Sequence, residues 1–137
     1  DASPMIPPKT ADLLIGFEPA EAVRNLSFLK AGGACIASLN AIRPVTASLG
    51  AGSYSDSEVL SFLREHAGKL VLVDVRTLCE QAGSSKVLNV ILLGAALGHG
   101  LLPFSKEALE QTLFQNLPER FHAMNRNALD IGYQSAR

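Results

Sequence analysis

DLLIGFEPAEAVRNLSFLKAGGACIASL, residues Asp12 to Leu39, holds two short apolar runs on either side of an amphipathic stretch. The first run, Asp12 to Phe17, shows no polar alternation, which suits a strand covered on both faces. Glu18-Pro19 then opens a helix, because proline at the first helical position loses an N–H that would have no partner anyway. Ala22, Leu26 and Leu29 fall on one face with Val23 beside them, and Gly32-Gly33 is read as the helix stop. Ala34 to Leu39 is the second strand. Strand, helix and strand in such a short span make the βαβ unit of a parallel sheet.

Outward from this unit, Asn40 to Tyr54 is irregular, with a possible short strand at Val45 to Leu49. Ser55 is the expected cap of a second helix, with Glu58 completing a capping box. Val59, Phe62, Leu63 and Ala67 form its expected buried stripe. Leu70 to Val75 is the clearest strand of the chain, and a short helix from Thr77 to Ala82 follows it, ending at Gly83. Lys86 to about Leu97 is apolar almost all round, as a central covered helix would be. Ser105 caps a helix with Leu109, Leu113 and Leu117 on one face, stopped by Pro118. The last helix is expected to bury Phe121, Met124, Ala128 and Ile131. The fold class is α/β, a three-layer α/β/α arrangement with a mostly parallel central sheet and a helical C-terminal third. Residues 1–137 are expected to form a single domain.

Composition narrows the function classes. Lys plus Arg (12) and Asp plus Glu (13) make 18% of the 137 residues, against 47% hydrophobic residues and 11 glycines. Soluble domains usually carry about 25% charged residues, so part of this surface is expected to be covered by another chain. The net charge of −1 and the scattered basic residues argue against nucleic acid and against an acidic membrane as partners. The start, Asp-Ala-Ser-Pro-Met-Ile-Pro-Pro, lacks the basic and apolar regions of a signal peptide. Val87 to Phe104 is apolar, but it is too short and too broken by glycine and proline for a membrane span, and reads as a buried helix. Cys35 and Cys79 lie in apolar surroundings, as expected of buried thiols in a reducing, cytoplasmic compartment.

No self-contained active site emerges. His66, His99 and His122 have no Cys, Asp or Glu at metal-ligand spacing, and His66 and His122 are expected as solvated surface residues. No Gly-x-Ser-x-Gly elbow is present, and neither cysteine has an adjacent base. Gly94 to Gly100 looks like a phosphate loop but follows a helix rather than a strand, so close helix packing followed by a turn is the expected use. Gly50-Ala51-Gly52-Ser53 is better placed for phosphate but weak as a signal. Candidate cofactor-binding residues are Glu18, Asn40 and Arg43, which follow strands and so belong at the carboxyl edge of the sheet, where ligands and partners dock. The equal alternative for Glu18 is an interaction with the N-terminus of its own helix, and for Arg43 a solvated loop position. Asn89, within the apolar helix, is expected to need a hydrogen-bond partner.

Ordered motifs carry a family resemblance. Ala11 to Pro19 with Glu21-Ala22, then Leu29-Lys30-Ala31-Gly32-Gly33, Arg43-Pro44-Val45-Thr46 and Val73-Asp74 resemble the gamma subunits of 2-oxoacid:ferredoxin oxidoreductases. Asn89 to Ala95, Leu102-Pro103 and Asn125 to Tyr133 continue the same order, and the C-terminal pattern resembles the beta subunit of indolepyruvate oxidoreductases. The resemblance implies a component of a complex that oxidatively decarboxylates a 2-oxoacid to an acyl-CoA and passes electrons to ferredoxin. It implies thiamine diphosphate, iron–sulfur clusters and coenzyme A in the complex, with none bound by this chain alone. Its partners would be the thiamine-binding and iron–sulfur chains, with ferredoxin indirectly. The family's opening Gly-x-Gly-Gly-x-Gly segment has no counterpart here, so the domain reads as N-terminally incomplete and its sheet edge as open to another chain. The alternative is a stand-alone CoA- or nucleotide-binding α/β module.

Overall fold

The computed structural model describes residues 7–40 and 56–136, and falls into two compact units, Asp1–Val73 and Asp74–Arg137. In the first unit, β1 (Ala11–Gly16), β2 (Leu29–Ser38) and β3 (Lys69–Val73) form a parallel sheet in the order β1-β2-β3. Helix α1 (Pro19–Asn25) joins β1 to β2, and α2 (Asp56–His66) precedes β3. The expected parallel sheet and βαβ unit are therefore present. Ser55, Val45–Leu49 and the Gly50–Ser53 segment lie outside the described residues.

One face of the sheet builds the core of this unit. Leu14, Cys35 and Leu70 stand in register across the three strands, followed by Gly16, Ala37 and Leu72. Against them pack Ala22 of α1 and Leu63 of α2, with Ala67 beyond its end, and Cys35, Ala37, Ala22 and Leu63 are all fully buried. Side chains here are small because α1 lies close to the strands. A Cβ on Gly16 would come 2.8 Å from the Ala22 Cβ, closer than real side chains approach.

Two expectations about this unit change. Gly32-Gly33 does not stop a helix: α1 ends at Asn25, a 3₁₀ turn spans Leu26–Phe28, and the chain is already extended at Leu29. The glycines sit inside β2, where the pairing slips from Ala11↔Leu29 to Leu13↔Ala34. Such a slip needs an irregular backbone, and Gly32 supplies it with φ of +81°. A Cβ on Gly33 would meet the Asp12 carbonyl oxygen at 3.1 Å, so the bulge is tightly closed, and Lys30 pairs with Asp12 across it. Val59 and Leu63 of α2, with Ala67 just past its end, are buried as expected, but Phe62 is 43% exposed. The apolar stripe is centred instead through the partly buried Leu60, and Phe62 lies at its border, stacked on the His66 ring at 3.9 Å.

The second unit is helical: α3 (Val75–Ala82), α4 (Leu88–Gly98), α5 (Lys106–Gln115) and α6 (His122–Ser135). Asp74 caps α3 by accepting from Thr77 N at 3.3 Å, and Gly83 ends it in the left-handed region. Helix α4 is the expected covered helix, burying Val90, Ile91, Leu92, Gly94, Ala95 and Ala96. It packs on α6 backbone to backbone. A Cβ on Gly132 would fall 2.0 Å from the Ile91 carbonyl oxygen, one on Gly94 2.3 Å from that of Leu129, and one on Gly98 2.5 Å from that of Tyr133. Close packing followed by a turn is thus the use of Gly94 to Gly100, the turn being made by Gly100 at φ +73°.

The stripe expected on the last helix is corrected by this contact. Phe121 and Met124 are exposed, whereas Ala128, Leu129 and Gly132 are buried. A glycine-centred interface has little hydrophobicity to read, so periodicity favoured the larger side chains. Asn89 is also exposed rather than buried, because it lies in the first turn of α4.

Candidate functional site

Parallel strands end at one edge of their sheet, so the ends of β1, β2 and β3 at Gly16, Ser38 and Val73 share the carboxyl edge of the first unit. Leu39 N–H donates to the Val73 carbonyl at 2.7 Å, extending the pairing past β2. Ser38, buried at 1% exposure, folds its hydroxyl over the edge: it donates to the Asn40 carbonyl at 2.8 Å and accepts from Asn40 N–H at 3.1 Å. Asn40 is thereby held in a fixed turn directly after the strand. Glu18 follows β1 at the same edge as the extended N-cap residue of α1, without a side-chain bond to the helix N–H groups. Both are half-buried. Arg43 lies outside the described residues.

A second acid, Glu21, serves this helix entry. Its Oε1 accepts from Phe17 N–H at 2.9 Å, tying the first turn of α1 back to the strand end. Sequence reasoning missed this role, although an acid at the third helical position is a recognised signal. Phe17 itself is 38% exposed at the edge. This edge therefore offers an exposed aromatic ring, a fixed amide residue and a carboxylate residue on a rigid scaffold, which suits recognition more than bond chemistry.

Elsewhere the chemistry-bearing groups are committed to structure. Cys35 and Cys79 are free and buried, and burial pushes the Cys35 thiol up to about 11 and the Cys79 thiol upward as well. Neutral thiols are poor nucleophiles and poor metal ligands. His66 is exposed, and its Nδ1–H donates to the Phe62 carbonyl at 2.9 Å. His122 departs from the solvated expectation: it is half-buried, with Nε2 2.7 Å from the Leu117 carbonyl and its ring 5.0 Å from that of Phe114. The ring closes the turn between α5 and α6.

A shallow pocket of about 330 Å³ opens between α3 and α6, lined by Leu78, Gln81, Asp130, Ile131, Gln134 and Ser135. Two of its polar groups are engaged: Asp130 pairs with Lys106, and the Ser135 hydroxyl donates to the Gly132 carbonyl at 2.6 Å. Among the described residues no group of three or more His, Cys, Asp or Glu could hold a metal ion. An iron–sulfur cluster is held by a set of cysteine thiolates, and the two buried, separate thiols of this chain do not fit one. Among the described residues no helix is long and apolar enough to cross a membrane.

Comparison with known proteins gives a consistent answer. Residues 1–135 match the family model described as pyruvate ferredoxin/flavodoxin oxidoreductase. Indolepyruvate oxidoreductase subunit IorB of Pyrococcus horikoshii is 31% identical over 135 residues, spanning 97% of this chain and 67% of that protein. The subunit of the same name from Archaeoglobus fulgidus is 30% identical over 135 residues, again spanning 67% of its length. Among solved structures, the gamma subunit of a keto/oxoacid ferredoxin oxidoreductase from Geobacter sulfurreducens superposes with a TM-score of 0.65. At 23% identity over 93% of this chain and 63% of that one, it matches the fold. The chain thus spans about two thirds of the length of its curated relatives and 63% of the solved subunit.

Proposed function

Since the chain belongs to the pyruvate ferredoxin/flavodoxin oxidoreductase family, we propose that it is the non-thiamine-binding, gamma-type component of a 2-oxoacid:ferredoxin oxidoreductase complex. The observation that carries this reading is the family match along residues 1–135, together with relatives of 30–31% identity whose name is indolepyruvate oxidoreductase subunit IorB. An indolepyruvate-type complex is accordingly the closest assignment. The complex would oxidise a 2-oxoacid with loss of carbon dioxide, form an acyl-CoA and deliver the electrons to ferredoxin. Thiamine diphosphate and iron–sulfur clusters would sit on the partner chains. When bound there, they would supply the carbanion chemistry and the electron path, and no step is routed through residues of this chain.

Its own contribution in this reading is positional, with residues 1–137 acting as one gamma-type domain. The carboxyl edge of the sheet is the surface we assign to a partner or to the coenzyme A side of the site. Glu18, Asn40 and the following Arg43 would be the contacting groups, supported by the general use of this edge in open α/β sheets. Buried neutral thiols and a charge-poor composition fit a chain that works inside a hetero-oligomer in the reducing cytoplasm.

The test is an affinity pull-down of the chain from its native lysate, followed by mass spectrometry and a thiamine-dependent 2-oxoacid oxidation assay on the eluate. Recovery of a thiamine-diphosphate subunit with ferredoxin-reducing activity is the expected result, and a panel of 2-oxoacids would then name the substrate. A clean, inactive eluate from a lysate that contains the activity would overturn the assignment.

A further inference from the structure

The second unit holds its helices by two different kinds of contact. Helices α4 and α6 meet through glycines, with backbone against backbone. Helix α5 is attached otherwise: Leu109 is the buried residue of its ten, and most of its length is exposed or half-exposed. Beside the Phe114 ring, 5.0 Å from that of His122, charged contacts join it to α6. Lys106 pairs with Asp130, and Arg126 Nε lies 3.5 Å from Glu110 Oε2. The same two cations lie over aromatic rings of the opposite helix, Lys106 Nζ 5.0 Å from the Tyr133 centroid and the Arg126 guanidinium 4.7 Å from that of Phe114.

These four charges have a pattern. Lys106 and Glu110 are four residues apart on α5, and Arg126 and Asp130 are four apart on α6, so each couple shares one helix face. Run antiparallel, every cation meets an anion across the interface. Run parallel, Lys106 would face Arg126 and Glu110 would face Asp130. The quartet therefore matches the antiparallel docking of α5 that the short connection to α6 allows; the hydrogen bond to Asp130 holds the Lys106 ammonium above its usual range, and the Asp130 and Glu110 carboxylates add to it.

From this geometry we infer that α5 is an electrostatically latched arm, which undocks from α6 as a unit while the glycine-packed α4–α6 pair stays closed. The charged and titratable groups facing the latch are Lys106 and Glu110 from α5 and Arg126, Asp130, Tyr133 and His122 from α6. Screening the four charges releases the arm. Three of the four side chains are at least a quarter exposed, Glu110 at 25%, Asp130 at 45% and Arg126 at 53%, so dissolved salt reaches these side chains, while the Asp130 Oδ1 that meets Lys106 is itself buried. Undocking uncovers Leu109 and the Phe114 ring, an apolar surface that the docked arm keeps half-hidden.

Hydrogen exchange of the purified protein, read by mass spectrometry at low salt and in 1 M sodium chloride, tests this. At about 1 M salt the screening length falls to roughly 3 Å, and the amides of 106–115 are expected to exchange about tenfold faster or more, as local openings do when their own contacts are weakened. Those of α4 and α6 should change less than about twofold by the same reasoning. Asp130→Asn should loosen α5 already at low salt, and the exchanged pair Lys106→Asp with Asp130→Lys should restore it. Equal salt sensitivity of α5 and α6, or protection of α5 that salt leaves unchanged in the unmodified protein, would overturn the proposal even if a variant failed to fold.

Discussion

Replacing Gly132 by alanine tests the glycine-packed helix pair at its tightest point. The added Cβ would sit 2.0 Å from the Ile91 carbonyl oxygen, 2.9 Å from its carbon and 3.0 Å from Ala95 N. A carbon comes no nearer a carbonyl oxygen than about 3.3 Å in ordinary close contacts, so α4 and α6 must part by roughly 1.3 Å. A radial gap of about 0.5–1 Å already forfeits a quarter to a half of a dispersion contact. The fully buried Ile91, Leu92, Ala95 and Leu129 line the same seam and would lose such contacts together. Overpacking of this kind costs about 1–3 kcal/mol, while removing a helix-interior glycine returns up to about 1 kcal/mol. Because backbone rather than a flexible side chain is struck on both helices, the cost should lie at the upper end, leaving a net loss of about 2 kcal/mol. A thermal melt of the purified protein should therefore drop by several degrees, at roughly 2–8 °C per kcal/mol for domains of this size range. Gly68→Ala, where a Cβ meets nothing within 4 Å, is the control and should melt at or above the parent. A Gly132→Ala protein as stable as the parent would refute the backbone-contact account of this unit.

Gly33→Val should destabilise the first unit, because its Cβ would meet the Lys30 and Asp12 carbonyl oxygens at 3.0 and 3.1 Å within the β2 bulge; soluble yield and the melting temperature should both fall, and an unchanged melt would count against the bulge. Asp74→Ala removes the acceptor for both Thr77 N and Thr77 Oγ1 and should cost about 1 kcal/mol of stability, read as a shift in the denaturant midpoint. For Cys35 the folded thiol is held at about 11 against the usual 9.0. The folded protein therefore keeps a proton that the unfolded chain gives up, and the Cys35 contribution is complete below pH 9 and lost as pH rises from 9 to 11. The loss is on the order of 2–3 kcal/mol. Equilibrium unfolding across that range should show a slope that Cys35→Ala flattens, and a thiol reagent should label Cys35 only in denaturant.

The parallel sheet was legible because buried parallel strands read as continuous apolar runs, and Leu13-Leu14-Ile15 and Leu70 to Val73 are such runs. Ser105 was equally readable as punctuation, since a short polar side chain before an amphipathic stretch has few other uses, and it accepts from Ala108 N at 3.0 Å. Asp74 was not, because the run Leu70 to Val75 carried the strand reading across it, whereas β3 ends at Val73 and Val75 opens α3 behind the Asp74 cap. Gly32-Gly33 was not, because paired glycines after Leu26 and Leu29 fit a helix end and a strand bulge equally well. The difference lies in the partner strand, where Leu13 pairs with Ala34, and no local pattern records it. Phe121 and Met124 misled for the opposite reason: hydrophobic size marked them for burial, yet α6 buries the face whose residues are small enough for α4 to approach.

The site was the less legible part, and physically it had to be. Catalytic groups announce themselves by unusual pairings, such as a nucleophile beside a base or clustered ligands, whereas a surface that only positions a partner uses ordinary residues. Glu18 and Asn40 could be placed at the carboxyl edge because strand polarity dictates it, but a second acid tied to the helix entry, Glu21, was missed. The Lys106–Glu110 and Arg126–Asp130 couples are opposite charges four apart that the sequence reading passed over. Alone, each is an ordinary surface pair worth a few tenths of a kcal/mol, roughly. Only antiparallel docking turns them into one latch, and that arrangement depends on the turn closed by His122 on the Leu117 carbonyl. The contacts that hold this unit together therefore arise from tertiary juxtaposition rather than from any motif.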